Sequence, residues 1–133
     1  SDRTFITHSP HGTQIEYHNP GGRAHLWYPG NFGGVPSNWK VNYDGPGRGH
    51  DICWQYPSQS RNGLTGVSAG GRFQCTADWL YFPGVVQVLA GDPFNLNSGR
   101  VPFRLPRGTF HAEQLAEMAH IPSGRIRTIY KED

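Results

Sequence analysis

Long apolar runs, charge blocks and sulfur-containing residues are all scarce in this chain of 133 residues. No stretch of 18 consecutive apolar residues occurs, so no membrane-spanning helix is predicted. The 12 basic and 10 acidic residues form no long run of either sign, and the net charge of +2 gives no reason to expect a nucleic acid partner. Hydrophobic residues make up only 35% of the chain, but aromatic residues make up 13%, which predicts one small core built from aromatic rings.

Glycine and proline are abundant instead. The 18 glycines and 11 prolines are spread along the chain as turn signals, and both residues disfavour the interior of a helix. No internal repeat, low-complexity segment or linker divides the chain. The sequence therefore predicts a single β-rich domain over residues 1–133, a small antiparallel barrel or sandwich of seven to eight strands with one C-terminal α-helix.

The only two cysteines are Cys53 and Cys75, and they form no C-x-x-C motif. Ile52, Trp54 and Tyr56 alternate with polar residues around Cys53, which predicts a strand, and a second short strand is expected to carry Cys75. Neighbouring strands would bring the cysteines within bridging distance. A structural disulfide in an oxidising compartment is favoured over two buried thiols or a zinc site completed by two histidines. We accordingly expect a periplasmic or secreted protein. The chain begins at Ser1 without an initiator Met, as a mature or trimmed form would, and whether a signal peptide has been removed stays open.

A hairpin is the clearest element of the sequence. Strands at 13–18 and 23–28 flank a turn at 19–22 that contains Pro20 and Gly21. With these two residues at the centre of the turn, Tyr17 faces Ala24, and one side of the hairpin is apolar. A three-residue loop with a bulge at Gly22 is the alternative, and it shifts the register by one residue and mixes the two faces. We favour the first register because it separates the apolar face from a polar face that carries Gln14, Glu16, His18, Arg23, His25 and Trp27.

The other elements are less distinct. Residues 1–12 read as an extended lead-in to the hairpin, and 77–82 as either a buried strand or a loop. Thr109 as N-cap and Pro122 as a stop signal predict a helix over 110–121. Further strands are expected at 37–44, 85–90, 101–105 and 125–130.

One resemblance emerges from the order of these segments. The hairpin GTQIEYHNPGGRAHLWYPG, a W-x-V strand, ICWQYP and FQC together resemble the small exported bacterial proteins of uncharacterised, lipocalin-like barrel families. The similarity covers roughly residues 13–76. It implies a barrel, export and a Cys53–Cys75 bridge, and it implies no catalytic residues. A lipocalin proper would carry Gly-x-Trp near its N-terminus, which this chain lacks, so no ligand cavity is inferred from the resemblance.

Histidines on the hairpin suggest a possible metal site. In the favoured register Glu16, His18 and His25 share one face, and two histidines with one carboxylate form a known open site for a divalent transition metal. No H-E-x-x-H or H-x-H signature supports that chemistry. A solvated polar face without a cofactor is therefore the preferred interpretation.

Aromatic residues give the main hypothesis for function. Trp27 on the polar face and the cluster of Trp79, Tyr81 and Phe82 are expected to form an exposed contact surface, and such apolar patches usually mark binding sites. We therefore expect a non-catalytic, exported binding module for a small molecule, a glycan or a protein partner. The alternative is a metal-dependent enzyme that uses the histidine and carboxylate site of the first hairpin.

Overall fold

The computed structural model describes residues 2–43, 50–55, 73–77 and 84–132. Eight strands in this part of the chain form one antiparallel sheet in the order β6-β5-β4-β3-β2-β1-β7-β8. The strands are β1 (Arg3–Ser9), β2 (Gly12–His18), β3 (Arg23–Trp27), β4 (Val35–Tyr43), β5 (His50–Gln55), β6 (Phe73–Ala77), β7 (Val85–Ala90) and β8 (Thr128–Lys131). A helix α1 (Ala112–Met118) and two 3-10 turns (Leu96–Ser98 and Ser123–Arg125) precede β8.

The mainly β fold with a helix near its C-terminal end confirms the predicted fold class. Among the described residues β6 and β8 do not pair with each other, so hydrogen bonds do not close this part of the sheet into a barrel. No helix in the described ranges has the length and apolar character needed to cross a membrane. The predicted strand or loop at 77–82 lies outside the described residues beyond its first position.

Strand β1 corrects the prediction of an extended lead-in. It pairs with β2 along its whole length and also with β7, so it lies inside the sheet. Thr4 and Ile6 point to the same side of β1 and are fully buried. Gly12, with a φ of 113°, closes the short turn into β2 in a backbone conformation that favours glycine.

The first hairpin has the register that the sequence analysis ranked second. His18 pairs with Ala24 and Tyr17 with His25, which contradicts the predicted pairing of Tyr17 with Ala24. The loop consists of three residues, 20–22. The Asn19 N–H donates to Arg23 O, the Gly22 N–H donates to Asn19 O, and Gly22 adopts a φ of 84°. The Asn19 side-chain oxygen also accepts the N–H groups of Gly21 and Arg23.

This register distributes apolar and polar residues over both faces of the hairpin. Ile15 and Tyr17 share a face with Trp27, and Glu16 and His18 share the other face with Ala24. The Trp27 face packs against α1 and the segment before it, where the main core contains Ile6, Ile15, Tyr17, Trp27, Val86, Leu89, Phe94, Leu96, Leu105, Ala112, Leu115 and Ala116. The other face carries a second cluster of Ala24, Ile52 and Trp54, with Trp39 packed against it.

The segment predicted as a strand at 101–105 is not a strand. Its alternating side chains do face the core, as Leu105 is buried and Phe103 packs against the main core. Its carbonyls, however, bond to other partners: Phe103 accepts the indole N–H of Trp27, and Leu105 accepts the backbone N–H of Gly30. The periodicity therefore reflects packing without a ladder of strand hydrogen bonds.

Helix α1 is shorter than predicted and begins later. His111 is its N-cap in place of Thr109, and its backbone N–H bonds to the side-chain oxygen of Gln114. The helix ends at Met118, after which Ile121 N–H bonds back to Ala116 and His120 adopts a φ of 57°. The last strand begins at Thr128 and not at the predicted residue 125. Residue 125 is instead the end of the 3-10 turn Ser123–Arg125.

Candidate functional site

The structure brings together two of the three residues predicted for a metal site. Glu16 and His18 lie on the same side of β2, and His18 Nε2 is 2.7 Å from Glu16 Oε1. Both side chains are buried. The His18 ring stacks on Trp39 on one side, with ring centroids 4.8 Å apart, and contacts Phe5 at the same centroid distance. Aromatic rings therefore enclose the polar pair.

Small residues next to this pair allow the rings to meet. Ala24 on β3 lies opposite His18, and Ser37 on β4 lies opposite Ala24. Neither side chain is bulky enough to separate His18 from Trp39. The Ser37 hydroxyl and the Trp39 indole nitrogen are buried and have no hydrogen-bond partner among the described residues. The cluster is thus polar in composition but tightly covered.

His25 does not join the pair. It shares a face with Tyr17, opposite to the face that carries Glu16 and His18, so the prediction that all three metal candidates lie together is wrong. Burial lowers the pKa of His25, and the charge of Arg23 lowers it further, while weaker contributions from acidic groups oppose the shift. Within the described ranges no group of three or more His, Cys, Asp or Glu side chains is placed to hold a metal ion.

Trp27 is a core residue and cannot serve as the predicted contact surface. Its side chain is 0% exposed. The indole N–H donates to Phe103 O at 3.0 Å, and the ring packs against Phe94 and Phe103. The register shift explains the error, because it turns Trp27 from the expected polar face towards the core. The other residues of the predicted surface, Trp79, Tyr81 and Phe82, lie outside the described residues.

The two cysteines are neighbours across β5 and β6. Cys53 and Cys75 are directly paired in the strand register and are joined as a disulfide. Cys53 is buried, whereas Cys75 is exposed. This confirms that the cysteines are placed to form the predicted bridge. A disulfide of this kind fits an extracellular or periplasmic protein.

A cleft of about 470 Å³ opens between the segment after β7 and the chain that follows α1. We call it the C-terminal cleft. Phe94, Val101 and Ile121 supply apolar surface, and the complete lining is Pro93, Phe94, Asn95, Ser98, Arg100, Val101, Pro102, Ala119, Ile121 and Arg125. The sequence analysis missed this site because its residues come from two separate segments, one of which reads only as a polar loop.

The charged residues of the C-terminal cleft are both arginines. Arg100 and Arg125 line it, and none of the acidic side chains that the structure describes does. Asp92 lies just before this segment, but its carboxylate accepts the backbone N–H groups of Leu96 and Asn97. The wall of the cleft is therefore held in shape by Asp92, and the arginines give it positive charge.

A second cleft, of about 340 Å³, lies between the turn at 9–12 and residues 107–109. Its walls are linked through Thr13, whose hydroxyl donates to Gly108 O and accepts the N–H of Phe110. It is smaller and contains a single arginine, Arg107. The C-terminal cleft is thus the better candidate for a ligand site.

Comparison with known proteins gives no match to this chain among family models, curated proteins or solved structures. The resemblance to lipocalin-like barrel proteins therefore remains a prediction.

Proposed function

We propose that this chain is a non-catalytic binding protein that holds a small molecule in the C-terminal cleft. The observation that carries the proposal is the cleft itself, whose volume of about 470 Å³ falls among those typical of small-molecule sites. Such sites combine apolar surface with a few polar groups that orient the ligand. In this cleft Phe94, Val101 and Ile121 provide apolar surface. Ser98 and the two arginines provide the polar groups.

The walls of the cleft are already formed by the fold. Phe94 is 3% exposed and packs on Trp27, with ring centroids 5.5 Å apart. On the opposite wall, the backbone N–H of Ile121 donates to Ala116 O at the end of α1. A ligand that enters would not need to order a loose segment first, so less of its binding free energy would be lost to conformational entropy.

A small molecule fits this cleft better than a glycan. Sugars commonly pack on exposed aromatic rings, which offer an apolar body at the surface. Among the described lining residues Phe94 is the only aromatic one, and its ring is largely buried in the main core. The Glu16–His18 pair offers no support for the alternative metal-dependent enzyme, because it lacks a third ligand in the described ranges.

We also infer that the protein acts in the periplasm or after secretion, since a disulfide between neighbouring strands persists in an oxidising compartment. Intact mass measurement of protein recovered from its native compartment, without reductant, should give a mass two hydrogens below that of the reduced chain. Recovery of the fully reduced chain would contradict export.

Small-molecule binding can be tested by NMR with 1-octanol as a neutral apolar probe. The amide signals of Val101, Ala119 and Ile121 should shift saturably, because these residues line the cleft. Ala119→Phe should abolish the shifts by filling the cleft. Met118→Phe is the matched control, since Met118 is exposed and does not line the cleft. Absence of saturable shifts in the wild-type protein, or equal shifts in Ala119→Phe, would refute the proposal.

A further inference from the structure

We propose that the ligand of the C-terminal cleft carries an acidic head group, which Arg100 and Arg125 bind while its apolar body lies against Phe94, Val101 and Ile121. This inference rests on the proposed small-molecule function and specifies its ligand class. The head group is a carboxylate or a phosphate, which share the chemistry that a guanidinium recognises.

Arg100 and Arg125 lie 25 residues apart in the sequence and belong to two different segments of the chain. Arg125 ends the 3-10 turn Ser123–Arg125, and its backbone N–H donates to Pro122 O. Arg100 follows the other 3-10 turn of the fold, Leu96–Ser98. The tertiary structure therefore places two positive charges at one site that no local sequence motif reveals.

Neither guanidinium has an ion-pair or hydrogen-bond partner in the part of the chain that the structure describes. Lys131 differs from these two arginines, because its Nζ lies 3.7 Å from Glu113 Oε2. Two like charges that share a concave, acid-free surface raise the local positive potential. An anionic ligand would be attracted by this potential, whereas a cationic ligand would be repelled by it.

The backbone at Arg100 is fixed before any ligand arrives. Its N–H donates to the Ser98 hydroxyl, which itself donates to Asn95 O at 2.7 Å. The preceding residue, Gly99, has a φ of 82°, and its carbonyl accepts the N–H of Gly34, the residue just before β4. Only the long side chain of Arg100 must then be ordered on binding, which limits the entropy lost.

Arginine also selects the geometry of the head group. A guanidinium stays protonated at all physiological pH values and offers parallel N–H donors that match the oxygens of a carboxylate or phosphate. A neutral hydroxyl offers one oxygen without charge and cannot engage both arginines equally well. We therefore expect acids to bind more tightly than alcohols with the same apolar body.

The test compares four probes that share one alkyl chain: octanoate, octyl phosphate, 1-octanol and octylammonium. Isothermal titration calorimetry should show both acids binding about tenfold more tightly than 1-octanol, since hydrogen bonds to charged groups are stronger than neutral ones. Octylammonium should bind most weakly. The tighter of the two acids identifies the head group as carboxylate or phosphate.

Variants assign this preference to the two arginines. Arg100→Gln and Arg125→Gln should each remove part of the tenfold preference, weakening binding of the preferred acid about threefold, and leave 1-octanol binding unchanged. Arg127→Gln is the control, because Arg127 is exposed close to Arg125 in sequence but does not line the cleft. Both cleft arginines are exposed, so thermal melting should show that these variants fold normally.

The outcomes separate the inference from the function on which it rests. Equal binding of 1-octanol and both acids, unchanged in the arginine variants, would overturn the acidic head group and leave small-molecule binding intact. Failure of every probe to bind would overturn both. An acid preference that persists in the Arg100→Gln, Arg125→Gln double variant would place the anion elsewhere and contradict the inference.

Discussion

The ring of His18 stacks on the ring of Trp39 at a centroid distance of 4.8 Å, although β3 lies between the strands that carry them. The contact is possible because Ala24, the β3 residue paired with His18, has only a methyl group. Ala24 is fully buried beneath these rings. Stacked rings above a small residue connect β2 to β4 and form part of the second cluster.

Ala24→Leu should separate the two rings. The added methyl groups have no free space at a fully buried position, so we expect the free energy of unfolding to fall by about 1–3 kcal/mol. Urea denaturation measures this change, and near-UV circular dichroism should show a changed tryptophan environment. Ala24→Gly is the control, because it keeps the space between the rings and should preserve the near-UV signal. An unchanged midpoint in Ala24→Leu would disprove the packing role.

The hairpin loop offers a comparison of two adjacent glycines. Gly22 has a φ of 84°, and a Cβ there would meet only ordinary contacts, so the cost of Gly22→Ala comes from backbone strain. We expect a loss of about 1 kcal/mol in unfolding free energy. Gly21→Ala should be nearly neutral, since Gly21 is not in the left-handed region. Equal losses in the two variants would contradict the three-residue loop.

The indole nitrogens of two tryptophans differ in their hydrogen bonding. Trp27 Nε1 donates to Phe103 O, whereas Trp39 Nε1 is buried and has no partner in the described part of the chain. Trp27→Phe should therefore cost about 1–2 kcal/mol more in unfolding free energy than Trp39→Phe, because only the first leaves a carbonyl without its donor. Chemical denaturation of both variants checks this difference. A larger loss in Trp39→Phe would be the opposite of the expected order.

The stability of the protein should depend on His25 at mildly acidic pH. Burial lowers the pKa of His25 in the folded state, so the unfolded chain binds the proton more readily. Folding stability should then fall as the pH drops below about 6.5, the ordinary pKa of histidine, and level off below the folded-state value. Thermal melting from neutral pH downwards should show a shallower decline in His25→Gln than in the wild-type protein. Identical pH profiles would contradict burial of a neutral imidazole.

The sequence predicted the presence of most strands but not the hairpin register. Both registers of the 19–22 turn satisfy the turn chemistry of Pro20 and Gly21. Amphipathicity favours the two-residue turn only if one face of the hairpin is solvated. Both faces are in fact buried, so polar Glu16 and His18 occupy an interior that the alternation could not reveal. The one-residue difference in hairpin register explains why Trp27 and His25 lie on the opposite face from the predicted one.

Tertiary packing explains the other differences. The period-2 pattern at 101–105 is real, but Phe103 and Leu105 face the core from a segment whose carbonyls bond to Trp27 and Gly30. Residues 1–12 were predicted only as an extended lead-in, whereas β1 is a strand because it pairs with both β2 and β7. The pairing of Cys53 with Cys75 was predictable because few cysteines leave few alternatives. The C-terminal cleft depends on where the chain turns back after α1, which no local pattern specifies.

The central claim is that the C-terminal cleft holds a small acidic ligand, and intermolecular NOEs test it most directly. With saturating octanoate, the account predicts NOEs from the alkyl chain to the methyl groups of Val101 and Ile121 and to the Phe94 ring, all lost in Ala119→Phe. Saturable binding with NOEs only to residues outside this lining would contradict the account.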